Sequence, residues 1–139
     1  MFDVPPGSAG LGETELIRQI QTWLGATSPP PPKGIGDDCA VIHPSRKGSQ
    51  LITTDSINYG YHFDDTIAAK DVGAKLIKRN LSDIAAMGGT PESAVLALLC
   101  SSNVSIQWLQ EFFLGIRNAC ERYSVLILGG DVIGLTQNH

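Results

Sequence analysis

Residues 93–100 read SAVLALLC, a run with no charged side chain and no proline. Its length suits a strand, and its continuous apolar character is that of a strand covered on both faces, as in layered α/β folds. Helical patterns flank it. From about Thr66 to Met87, the residues Val72, Leu76, Ile77, Leu81, Ile84 and Ala85 fall on an inward face, and Gly88-Gly89 and Pro91 end the segment. Ser105 is placed to cap a second helix running to about Tyr123, with Leu109, Phe112, Phe113, Ile116 and Cys120 turned inward. VLIL (125–128) reads as the last clear strand.

Upstream, ETELIRQIQTWLG sets Leu16, Ile17, Ile20, Trp23 and Leu24 on one stripe of an amphipathic helix, and Gly25 sits at its stop. SPPPPKG follows, and its prolines exclude helix interior and central strand. A stiff connector is the reading, with a polyproline ligand for a partner domain as the alternative. CAVI (39–42) and QLITT (50–54) are β-type runs separated by the turn-rich HPSRKGS, as neighbouring antiparallel strands would be. The order α-ββ-α-β-α-β predicts an α/β layered domain. Residues 1–33 form a helix and Pro-rich connector ahead of a main domain, 34–139. VIGLTQNH starts where a further strand could follow a GGD turn, so a fragment or an isolated domain is expected.

The chain's 139 residues suffice for one domain with a real core. With 42% apolar and 17% charged residues it falls in the globular class and outside the disordered one. The net charge of −4 argues against a nucleic-acid surface. Cys39, Cys100 and Cys120 are widely spaced, which argues against a disulfide framework or zinc site and fits a reducing cytosol. The opening MFDVPPGSAG lacks the pattern of a signal peptide, and no run approaches the roughly 18 apolar residues of a membrane span. A cytoplasmic domain working on small molecules, with no nucleic acid and no membrane, is the expectation.

The acidic residues are not spread evenly. The glutamates (13, 15, 92, 111, 121) lie in or beside predicted helices, where solvated faces account for them. The aspartates mark element ends: Asp37 and Asp38 in GIGDDCAVI, Asp55 closing LITTD, Asp131 closing VLILGGD, with Asp83 inside NLSDIAAMG. Singly, each reads as turn chemistry. Together they would repel one another unless cations filled the cluster, and Mg²⁺ with substrate phosphates is the hard-cation solution. Side-chain alternation lets only one of Asp37 and Asp38 join the cluster, leaving the other to the glycine turn. There is no G-x-x-x-x-G-K-[ST] loop, GIGDDC lacks the third glycine of a dinucleotide fingerprint, and His43 beside Pro44 reads as exposed.

GIGDDCAVI, LITTD, the HF of YHF, NLSDIAAMGGTP and LILGGD, in that order and spacing, resemble the amino-terminal domain of thiamine-monophosphate kinase. The match runs from about Gly34 to Asp131, and NLSDIAAMG is its most specific motif. The resemblance implies the aminoimidazole ribonucleotide synthetase-like fold: a mixed sheet with helices on one face, pairing into a barrel in a homodimer. It also implies a missing C-terminal domain, and transfer of the ATP γ-phosphoryl group to thiamine monophosphate with several Mg²⁺ ions. Position by position, it implies that Asp38, Thr53, Thr54, Asp55, Asp83 and Asp131 hold metal. Gly130 would touch nucleotide together with Asp131, and His62 the thiamine phosphate. The acceptor is an ionised phosphate oxygen, so positioning and charge neutralisation dominate and no protein nucleophile is expected. Val132, Thr53 and Lys78-Arg79 depart from the family pattern; Arg79, four residues before Asp83, could pair with it, reach a phosphate, or form an ordinary surface ion pair. Another ATP-dependent synthetase of the same superfamily and a non-catalytic dimerisation module are the competing expectations.

Overall fold

Glycine decides how the two long helices meet. The computed structural model describes residues 12–31, 34–35 and 50–135. Within it α2 (Ala69–Ala86) packs on α3 (Ile106–Tyr123) through Gly73 and Gly115. A Cβ at Gly73 would stand 2.0 Å from the Phe112 carbonyl oxygen, and one at Gly115 1.9 Å from that of Lys70. Any side chain there would hold the two backbones apart. The Ser105 hydroxyl caps α3 by accepting from the Trp108 N–H at 3.1 Å. Leu109, Phe112, Phe113, Ile116, Ala119 and Cys120 are buried along the inner face of α3. Helix α1 (Glu13–Leu24) lays Leu16, Ile20 and Leu24 into the same core, and Trp23 stacks on Phe113 with ring centroids 5.8 Å apart. Its stop is Gly25, at φ +56°, followed by a 3₁₀ turn over Gly25–Thr27. Fully burying each such large apolar side chain contributes about 1.5–3 kcal/mol, so the three helices form one cooperative core.

Helix α3 is also the crossover between two parallel strands, β1 (Ser93–Ser101) and β2 (Leu126–Leu135). They run in register from Ser93↔Leu126 to Ser101↔Leu135, with Leu128 bulged opposite the Ala94/Val95 step. Ser124 takes the left-handed conformation (φ +57°) that ends α3 and turns the chain into Val125.

Four expectations change. SAVLALLC is covered on one face only: Val95 and Leu99 are 63% and 57% exposed, because the helices all pack on the opposite side. The last strand is longer than VLIL, and GGD is no turn. Gly129, Gly130 and Asp131 pair with Val95, Leu96 and Ala97, and Gly130 fits because its missing Cβ would stand 1.8 Å from the Leu96 carbonyl oxygen. QLITT joins no ladder among the described residues; the Asp55 amide is taken by a side chain, Asn80, rather than by a neighbouring strand. Ala85 is exposed, lying on the outer side of α2. CAVI, Asp37, Asp38, Cys39 and His43 lie outside the described residues. What stands is an α/β arrangement with helices on one face of a two-stranded parallel sheet. Among the described residues no helix is long and apolar enough to cross a membrane.

Candidate functional site

The segment 53–55 is fastened to the C-terminal half of α2 at three points. Asn80 does the backbone work: its Oδ1 accepts from the Asp55 N–H at 2.8 Å, and its Nδ2 donates to the Asp55 and Leu76 carbonyl oxygens, both at 3.0 Å. Arg79 Nε donates to Asp55 Oδ2 at 2.7 Å. One turn further on, the Thr53 hydroxyl reaches Asp83 Oδ2 at 3.5 Å. Helical periodicity brings this about, since positions 79, 80 and 83 recur within one turn and meet the same passing chain. Arg79 holds the Asp55 carboxyl below its usual range, with the Ser56 amide assisting and desolvation opposing. Arg79 thus pairs across to the loop, with Asp55, rather than along its own helix with Asp83.

His62 lies on the turn that follows. Its Nδ1 accepts from the Asn58 N–H at 2.9 Å, so the neutral ring carries its proton on Nε2, which is left to donate. Lys75 Nζ donates to the His62 carbonyl oxygen, tying the turn to α2. The next residue anchors it to α3: Phe63 stacks on Trp108 with centroids 6.1 Å apart, and Trp108 stacks on Phe112 at 5.3 Å. Asp64 caps the start of the following turn by accepting from the Thr66 hydroxyl and from the Thr66 N–H at 2.9 Å, and the two bonds, the hydroxyl's first, lower its carboxyl pKa.

Asp131 is set apart by its element. It stands on β2 opposite Ala97, exposed, on the uncovered sheet face that also carries Val95, Leu99 and Ile133. Of the candidate residues, then, Thr53 meets Asp83, and Asp55 is held to the preceding turn of α2 by Arg79 and Asn80; Thr54 is exposed within the same segment, and Gly130 precedes Asp131 on the strand. Among the described residues no three His, Cys, Asp or Glu side chains lie close enough to hold a metal ion. The donors that do gather on α2 are hydroxyl and carboxylate oxygens, with no sulfur, the set that suits a hard cation such as Mg²⁺. A surface groove of about 390 Å³ opens beside them, lined by Leu51, Ile52, Thr53, Asp83, Ile84, Ala86 and Met87.

Two positioning features have no role assigned from sequence. Asn80 stands in the NLSD motif, where its neighbour Asp83 draws attention first. The Phe63–Trp108 stack joins residues from separate segments, and no local pattern announces it.

Comparison with known proteins places the chain in a family. Residues 36–138 match the family of AIR synthase related proteins, N-terminal domain. The thiamine-monophosphate kinase of Aquifex aeolicus (strain VF5) is 35% identical over 122 residues, 88% of this chain and 38% of that protein. Among solved structures, the thiamine-monophosphate kinase of Stenotrophomonas maltophilia K279a superposes with a TM-score of 0.66 at 31% identity, covering 90% of this chain and 39% of that one. AaThiL complexed with AMPPCP and TMP superposes at 0.59 with 30% identity, covering 92% and 39%. The chain therefore spans well under half the length of the relatives it matches. With most of its length inside the match, the chain belongs to the AIR synthase related protein family, in the N-terminal domain.

Proposed function

We propose that the chain is the amino-terminal part of an ATP-dependent thiamine-monophosphate kinase, which makes thiamine diphosphate by in-line phosphoryl transfer. What carries the proposal is the fastening of Thr53–Asp55 onto the Arg79–Asp83 turn of α2, which brings oxygen donors to the NLSD stretch that resembles that family's motif. The relatives named thiamine-monophosphate kinase and the AaThiL complex with AMPPCP and TMP support it. Asp55, Asp83 and Asp131, with Asp38, Thr53 and Thr54, would hold Mg²⁺, whose charge would neutralise the phosphates. Gly130 and Asp131 would approach the nucleotide. The Nε2–H of His62 would donate to the phosphate of thiamine monophosphate, from a ring oriented by Asn58 and a turn anchored by Phe63. Holding the acceptor oxygen in line is the protein's main task, since that oxygen is already ionised.

Two further parts belong to the proposal. The protein works in the cytoplasm, and the uncovered face of the β1–β2 sheet is where a second copy of the chain sits, bringing the sheets together as a barrel. A second domain would complete the nucleotide contacts.

Thermal melts of the chain and of Asp83→Asn, each in EDTA and in Mg²⁺ with ATP, test the site. Ligand binding to the folded state raises stability by about 2.7 kcal/mol at a hundredfold excess over Kd. The wild-type chain should gain melting temperature with Mg²⁺ and ATP, and Asp83→Asn should lose most of that gain. In EDTA the substitution should be neutral or mildly stabilising, because one like charge is removed. Equal gains in both proteins would remove Asp83 from the ligand set.

A further inference from the structure

Arg79 stands beside two of the acidic residues proposed to hold metal, bonded to Asp55 and within electrostatic reach of Asp83. Its guanidinium donates to Asp55 Oδ2, and it lies one helical turn before Asp83. The adjacent Asn80 fixes the Asp55 backbone, so Asp55 meets Arg79 in a held geometry rather than by a chance surface encounter. The Arg79 side chain is 39% exposed and borders a groove of about 420 Å³ with Asp71, Ala74, Lys75 and Lys78, so it has open space to move into.

From this geometry we infer that Arg79 is a built-in cation that competes with the divalent metal for Asp55 and thereby weakens binding of metal alone. The inference rests on the proposed placement of metal at Asp55 and Asp83. The hydrogen bond already uses a lone pair of Oδ2, and a divalent ion arriving at that carboxylate would stand close to a fixed positive charge. The ion must displace the guanidinium into the groove or bind against its repulsion. Either route makes the carboxylates a poorer site for a bare cation than the same carboxylates without Arg79. Arg79 is a positioning residue here: it holds the Asp55 carboxylate in place when metal is absent.

The experiment is a calorimetric titration of the 139-residue chain with Mg²⁺ alone, for wild type, Arg79→Met, Arg79→Lys and Asp83→Asn. Repulsion between a unit and a double charge a few ångströms apart in high dielectric implies a Kd lower by roughly five- to thirtyfold in Arg79→Met. Arg79→Lys keeps the charge and should stay close to wild type, which a purely steric or packing role would not produce. Equal Kd values in wild type and Arg79→Met, with Asp83→Asn still abolishing binding, would overturn the inference and leave the metal site standing. No binding in any of the four proteins, with or without ATP, would overturn the site and the inference together.

Discussion

Asn80 carries more structure than any acidic residue near it. One amide spans the Asp55 N–H, the Asp55 carbonyl and the Leu76 carbonyl, so it ties a loop to a helix much as a neighbouring strand would. Asn80→Ala should lower stability by about 1–3 kcal/mol in a denaturant melt, since partly buried backbone groups lose their partners. Asn80→Asp turns the donor that serves both carbonyls into an acceptor, and should cost at least as much. A change within the noise for both would mean that other contacts hold the loop. At this scale the sequence was only partly legible. The aspartates drew attention because charge clusters are costly, but in the structure Asp83 meets the Thr53 hydroxyl while Asp55 is held by Arg79 and Asn80. Asn80 is neutral, and nothing local in NLSD distinguishes a solvent-facing asparagine from a clamp. The partner of Arg79 was open for the same reason, because spacing along a helix says nothing about a loop passing over it.

Among the elements, α2, α3 and β1 stood out plainly, since apolar spacing and the Ser105 cap fix them from within their own segments. The length of β2 was hidden by Gly129-Gly130, which read as a turn and instead lies flat against the β1 backbone. The exposed face of β1 was hidden too, because an apolar run does not say what covers it. Where α2 meets α3, Gly115 leaves no room for a methyl group. Gly115→Ala should destabilise the domain by about 1–3 kcal/mol or more, because the added Cβ meets backbone that cannot swing away. Gly12→Ala, at the N-cap of α1 with nothing within 4 Å, is the comparison free of steric clash and should cost only the cap preference, under about 1 kcal/mol. Chemical denaturation of both variants checks the pair, and an unchanged midpoint in Gly115→Ala would mean that the helices can slide apart without loss.

For the molecule as a whole, the sheet is the unfinished part. Val95, Leu99 and Ile133 stand exposed on one face around Asp131, in a fold whose other sheet face is packed. Apolar area of that kind is expected to be covered by a second copy, and sedimentation at micromolar concentration should show a dimer. Leu99→Glu should shift the equilibrium to monomer while leaving the helical core intact by circular dichroism. A wild-type chain that sediments only as monomer would remove the dimer from the proposal. The order in which the parts assemble follows from how α1 is attached. Helix α2 packs on α3 and strand β1 on β2, each across one intervening element, while α1 meets α3 only by closing a far longer loop of chain. That loop must lose its entropy before the Trp23–Phe113 contact returns anything, so α1 docks on the far side of the folding barrier. The last piece to arrive in folding is then also the first to leave, and slowing the departure of α1 is the direct way to lengthen the lifetime of the native state.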